Sequence, residues 1–330
     1  MSQKTGWCRL PRRFSPRVLE FTLLGWTLSV TGISCDRPQE LGSAEPLVIF
    51  GRTGYGPREF SYPRAIAISK EDIAYIVDKT GRIQAFDAEL QLVADWKTPL
   101  IDAGKPTGLG VLANGNVAVA DTHYSRVLEY RPDGTLVAMH GSYGEGPGQF
   151  HLPTDVASGV DGTIFVGEYG GNDRVSVFDA TWKFLSEFGS MNDDQFQFAR
   201  PQSLHAGTPG SLWICDARNH RVCRVSAHGK LLQSFGEMGT TVGRMRFPYG
   251  IDVLSDGSLV VAEYGNNRVQ KFSADGVSQG VWGKAGRNPG ELAYPWAVAV
   301  DSKDRVWIVD SGNNRIQIID GMNAMNWHKN

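Results

Sequence analysis

Acidic residues and arginines recur together through this chain at a spacing that could be read as chemistry. Asp78, Asp121, Glu168, Asp216, Glu263 and Asp310 each precede an arginine, at 82, 126, 174, 221, 268 and 315. Carboxylates beside guanidinium groups could serve as general acids flanked by anion clamps. Recurrence argues against that use. A reaction needs one asymmetric constellation, whereas six copies of one pair do the same structural job six times. Each acid lies four to six residues before its arginine, a spacing that crosses a hairpin turn and permits a charge-assisted hydrogen bond.

The other reactive side chains do not converge. Seven histidines are present, with no His-x-His and no Cys-x-x-Cys, so no metal-ligating set can be assembled. His140, His151, His205 and His228 are expected to be surface or turn residues. No catalytic residue, metal or cofactor is assigned. Cys215 and Cys223 flank one hairpin. They are expected to be two buried thiols, with a cross-strand disulfide as the alternative if the pair geometry allows it.

The elements that position these residues follow from an internal period. The arginine column repeats at intervals of 44, 48, 47, 47 and 47 residues, and prolines at 63, 106, 153, 201, 248 and 295 keep the same step. A period of that size defines a repeat architecture. Each repeat reads as four short strands. Small residues follow the proline, as in Ala65–Ile68, where inner strands must crowd around a common axis. After a turn such as Asp256-Gly257 comes a continuously apolar strand, as in Leu259–Ala262, which suits burial on both faces. The arginine then opens a third strand, and a fourth ends near Phe188-Gly189 or Trp282-Gly283. The fold expected is all-β, a six-bladed β-propeller of four-stranded antiparallel blades over residues 47–320. Leu47–Phe50 has no blade before it and repeat six lacks a fourth strand, so this N-terminal strand is expected to close the ring.

These residues resemble the NHL repeat family. The resemblance rests on Tyr264-Gly-Asn-Asn-Arg-Val-Gln270, Ser311-Gly-Asn-Asn-Arg-Ile-Gln317 and Ala217-Arg-Asn-His-Arg-Val222, with linkers such as Gly144-Glu-Gly-Pro-Gly-Gln-Phe150. Repeats one and two depart most, and no Gly-Pro linker stands between Trp96 and Pro106. The resemblance implies a propeller with a binding surface rather than a single activity. Members include protein-binding and RNA-binding domains, and relatives include metal-dependent lyases, so the fold alone assigns no function.

Upstream of the repeats, a basic stretch ending at Arg17 precedes a thirteen-residue, mostly apolar run, Phe21–Ile33. The run is shorter than the roughly 20 residues of a spanning helix and suits a signal peptide over residues 1–35. Gly32-Ile-Ser-Cys35 resembles a bacterial lipobox, which implies lipidation of Cys35, although Gly32 stands where the pattern prefers leucine. Residues 36–46 read as a polar tether and 321–330 as a C-terminal tail. Without residues 1–34 the chain holds 28 basic against 34 acidic side chains, a net of −6, which disfavours nucleic acid as a partner.

Residues that vary within the repeat are the candidates for binding. Arg64, Thr107, Thr154, Gln202, Tyr249 and Trp296 directly follow the proline column, and the turns after the acid column add His123, Tyr124, Tyr169, Arg218 and Tyr264. All should meet at one mouth of the axial channel, and aromatic residues with arginine are favoured in binding hot spots. The binding set is Arg64, His123, Tyr169, Gln202, Arg218, Tyr249, Tyr264 and Trp296. The function expected is an exported, membrane-tethered, monomeric recognition module of the cell envelope for a protein, peptide or glycan. The alternatives are a metal-dependent lyase or hydrolase with its site in the central cavity, and an RNA-binding domain.

Overall fold

The computed structural model describes residues 45–322, apart from 192, 194, 195 and 209. The expected signal peptide, the lipidation site Cys35, most of the tether and most of the C-terminal tail lie outside the described residues.

Six four-stranded antiparallel sheets form a propeller. Blade one comprises Pro63–Ile68, Ala74–Asp78, Arg82–Phe86 and Leu92–Lys97. Blade five repeats the pattern as Pro248–Val253, Leu259–Glu263, Arg268–Phe272 and Ser278–Trp282. In blade six, Pro295–Val300, Arg305–Asp310 and Arg315–Asp320 are completed by Val48–Phe50 from the other end of the repeat region. Val48 faces Ile318, Ile49 faces Gln317 and Phe50 faces Ile316. The closing strand therefore pairs as its sequence position requires.

Burial explains the strand compositions. The second strand of each blade is buried throughout or nearly so, as in Ala74–Asp78 and Leu259–Glu263. Neighbouring sheets cover both of its faces, which removes the usual alternation of polar and apolar residues. The outer strand of blade one keeps it, and Leu92–Lys97 alternates between partly buried and exposed. Inner strands crowd as expected: a Cβ added at Gly110 would lie 2.1 Å from the carbonyl oxygen of Val156 in the next blade. The thiols of Cys215 and Cys223 are free and buried. The two sit at offset ladder positions, Cys215 facing Val222 and Cys223 facing Ile214.

The acid–arginine column is a set of ion pairs. Arginines at 82, 126, 174, 221, 268 and 315 pair with Asp78, Asp121, Glu168, Asp216, Glu263 and Asp310 at 2.6–3.3 Å. Burial pushes the Asp121, Glu168, Asp216 and Glu263 carboxyls up, and the hydrogen-bonded arginines oppose it. The guanidinium groups also reach the linker that enters the blade. Arg268 donates to the carbonyls of Thr240, Thr241 and Arg244 at 2.7–3.0 Å. Arg315 donates likewise to Asn288 and Glu291. Blade two is different. Arg126 bonds Asp121 and lies 4.9 Å from the Tyr124 ring, while its buried Nη2 has no partner. In every blade but the second the arginine thus joins an acid to the linker.

Candidate functional site: the mouth of the axial channel

The end of the channel at which the inner strands begin is also where the turns between second and third strands lie, because in every blade but the second the proline pairs with its acid, as Pro63 does with Asp78 and Pro295 with Asp310. At this end Trp296 is the hub of an aromatic collar. Its ring lies 5.2 Å from Tyr249, 5.6 Å from Tyr264 and 6.3 Å from Tyr62, all edge-on. Tyr249 stacks on Tyr264 at 4.6 Å, and Tyr294 packs on Tyr264 at 5.2 Å.

Two arginines are set into the collar. The Arg64 guanidinium lies 5.1 Å from the Trp296 ring. That of Arg200 lies 4.6 Å from Tyr169 and 5.1 Å from Tyr249, contacts in which a cation is attracted to the ring face. Arg200 Nε donates to Gln202 Oε1 at 2.8 Å. Burial lowers the pKa of Arg64, and the nearby Arg200 charge acts in the same direction. The Tyr62 hydroxyl is pushed up to about 12 by burial and by the adjoining Tyr264 hydroxyl.

Of the eight residues expected at the mouth, the collar gathers Arg64, Tyr169, Gln202, Tyr249, Tyr264 and Trp296. Tyr249 and Trp296 form its covered base, each 8% exposed, rather than its rim. His123 and Arg218 are not among its contacts. His123 Nδ1 accepts from the Lys105 N–H in the linker before blade two, and Arg218 is an exposed turn residue whose N–H donates to Ala199. The mouth is lopsided, since only blades five and six place an aromatic ring after their prolines and blades two and three place threonines there. Thr107 bonds Thr122 and the Thr154 carbonyl, and Thr154 bonds the Pro201 carbonyl, so these hydroxyls join inner strands.

Below the mouth the inner strands enclose a cavity of about 320 Å³. Two and four residues past the proline column the positions are alanine and glycine, with four exceptions that line the cavity: Asp155, Ser203, His205 and Asp252. His205 Nδ1 lies 2.6 Å from Asp252 Oδ1. Asp252 also accepts the N–H groups of Val253 and Val300. Burial raises Asp155 to about 7 against the opposing hydrogen bonds from the Leu204 and Val156 N–H groups. The expectation for His205 is therefore corrected: it is a channel-lining residue, neither surface nor turn. Four residues after Pro201 it occupies the place that Asp252 holds after Pro248, so the pair joins adjacent blades. A search for matching histidines cannot find an ion pair of that kind.

The NHL repeat pattern matches residues 245–272 and 292–319, which carry the first three strands of blade five and most of the corresponding strands of blade six. The chain carries NHL repeats. Mouse peptidyl-glycine alpha-amidating monooxygenase is 31% identical over 129 residues, covering 36% of this chain and 13% of that protein's length. Among solved structures, a streptogramin B lyase superposes with a TM-score of 0.59 at 15% identity, covering 82% of this chain and 97% of the other. A gluconolactonase from Xanthomonas campestris gives 0.59 at 14%, covering 79% and 86%. An auxiliary nutrient binding protein from Bacteroides thetaiotaomicron gives 0.59 at 13%, covering 78% and 69%. At these identities the likeness is one of fold, shared by enzymes and a binding protein.

Within this propeller, the collar residues that the sequence reading missed are Tyr62, Arg200 and Tyr294. Each stands directly before a proline of the repeat, and that column was the available signal. Each has a positive φ, of 53°, 62° and 52°, in the left-handed region that side chains other than glycine rarely adopt. The preceding blade holds them there. Their N–H groups donate to Asn314 Oδ1, Asp173 Oδ2 and Asn267 Oδ1 at 2.6, 3.0 and 2.8 Å. The polar turn residues thus do more than form turns. They fix strained backbone that aims aromatic and guanidinium groups at the mouth.

Proposed function

We propose that this chain is an exported, membrane-tethered recognition propeller that binds an envelope ligand at the channel mouth. The observation that carries the reading is the lopsided collar: six aromatic rings and two arginines, drawn from four of the six blades and from the end of the second strand of blade three, converge on one opening. The structural ion-pair column does not require such asymmetry. Inner-strand positions and linker residues bonded to the preceding blade hold the collar in place, so binding loses little side-chain entropy. Export and tethering through Cys35 are supported by the basic, apolar and Cys-terminated order of the first 35 residues. Proteins, peptides and glycans are the ligand classes such a surface suits.

Trp296→Ala tests the reading. The exchange should reduce binding of an envelope glycan or peptide by tenfold or more, of the order expected for a hot-spot ring. Arg64→Lys should weaken it while the thermal midpoint stays near the parent's. Ligand binding unchanged in both variants would defeat the assignment.

The His205–Asp252 pair favours a second reading, acid–base chemistry in the channel by a lyase or hydrolase. A carboxylate that orients an imidazole through Nδ1 leaves Nε2 to exchange a proton. Turnover abolished in His205→Gln, with mouth binding intact, would support that reading over pure recognition.

A further inference from the structure

Arg64 and Arg200 differ from the repeated arginines in a way that points to a ligand. All six column arginines pair with a carboxylate. Neither Arg64 nor Arg200 has a carboxylate within ion-pair distance among the described residues. Asp173 stands closest to this role, but it accepts the backbone N–H groups of Gly170 and Arg200. Arg64 lies on the Trp296 ring and Arg200 on the Tyr249 ring, which itself packs on Trp296, and the Arg200 charge adds to the burial that lowers the Arg64 pKa. Like charges held together in half-buried positions oppose each other, and an anion between them removes that repulsion.

Two further features define the ligand. Trp296, more than nine-tenths buried and lining the cavity, has an indole N–H without an acceptor, and Arg64 Nε is likewise buried and unpartnered. Buried donors of this kind call for an acceptor. Deeper in the channel the lining carries carboxyl groups in place of guanidinium groups. Asp155 and Asp252 lie two and four residues past their prolines, about 3 to 10 Å farther along the strands.

We propose that the mouth binds an acidic saccharide, a pyranose carrying a carboxylate. The carboxylate meets the forked guanidinium groups of Arg64 and Arg200, a geometry that suits bidentate pairing. The apolar face of the sugar ring lies on the tyrosine rim, where Tyr294 is 50% exposed. Tyrosine hydroxyls and Gln202 take its hydroxyl groups. This deepens the recognition reading and rests on it.

Calorimetry on the full chain with trigalacturonate, its carboxyl-reduced counterpart, and a tripeptide with a free or amidated C-terminus tests the proposal. Trigalacturonate should bind, and reduction of its carboxyls should weaken binding about tenfold or more, as loss of a charge-assisted pair does. Arg64→Lys, which keeps the charge but not the fork, should lower affinity for trigalacturonate and leave the reduced sugar unaffected. Equal binding of acidic and reduced sugars, or binding of the free-carboxylate peptide alone, would overturn the proposal. If those ligands still lost affinity in Trp296→Ala, recognition at the mouth would survive. Absence of any Trp296-dependent binding across the panel would remove both.

Discussion

Asp155 shows how much one channel residue can reveal. Its carboxyl is pushed up to about 7 by burial, against an ordinary 3.8, so the folded chain keeps a proton that the unfolded chain loses between those values. Proton binding weighted toward the folded state makes stability fall as pH rises through that window and level off above it. Urea melts at about pH 4.5 and about pH 8 should show Asp155→Asn gaining stability relative to the parent at the higher pH. Parallel stabilities at both values would mean the carboxyl is not desolvated. Asp155 could be seen in the sequence only as an acid two residues after a proline. Its burial comes from the convergence of six inner strands, which no local pattern displays. The same holds for His205, whose partner Asp252 is 47 residues away. Arg64 and Trp296 were legible because they break a repeated column, whereas Tyr62, Arg200 and Tyr294 break the column before it, where a backbone constraint rather than composition marks the place.

At the scale of the element, the blade is a repeated strand set plus the linker that locks it. The strand set was plain in the sequence, because second strands buried on both faces are apolar without alternation. The lock was half visible: the acid and arginine columns showed the pair, but not that the arginine also ties down linker carbonyls. This difference makes the blades unequal. Arg268→Lys keeps a charge for Glu263 but gives up the fork that reaches three carbonyls, and should cost about 1–3 kcal/mol. Arg126→Lys loses no linker carbonyl bond among the described residues and should cost less than about 1 kcal/mol. Chemical denaturation of the two variants distinguishes them. Equal losses would show that the acid pair alone does the work.

For the whole molecule, closure by Val48–Phe50 is the feature that converts six repeats into a ring. Phe50 packs edge-on against Phe86 at 5.3 Å, Trp307 at 5.9 Å and Phe60 at 6.2 Å, so it joins the last blade to the first. Phe50→Ala should cost about 3–5 kcal/mol. Hydrogen exchange should accelerate first in Arg315–Asp320, the strand it pairs with. Uniform acceleration in all blades would indicate that closure is not a local fastening. The ring also sets what the mouth can be, since only a closed array brings Arg64 of the first blade to Trp296 of the last.

Fluorine NMR of the protein labelled with fluorotryptophan places the ligand directly. During titration with trigalacturonate, the resonance assigned to Trp296 should shift and saturate, while those of Trp213 and Trp307, buried between blades, stay in place. Saturable binding with no change at Trp296 would put the ligand elsewhere and contradict a recognition site at the channel mouth.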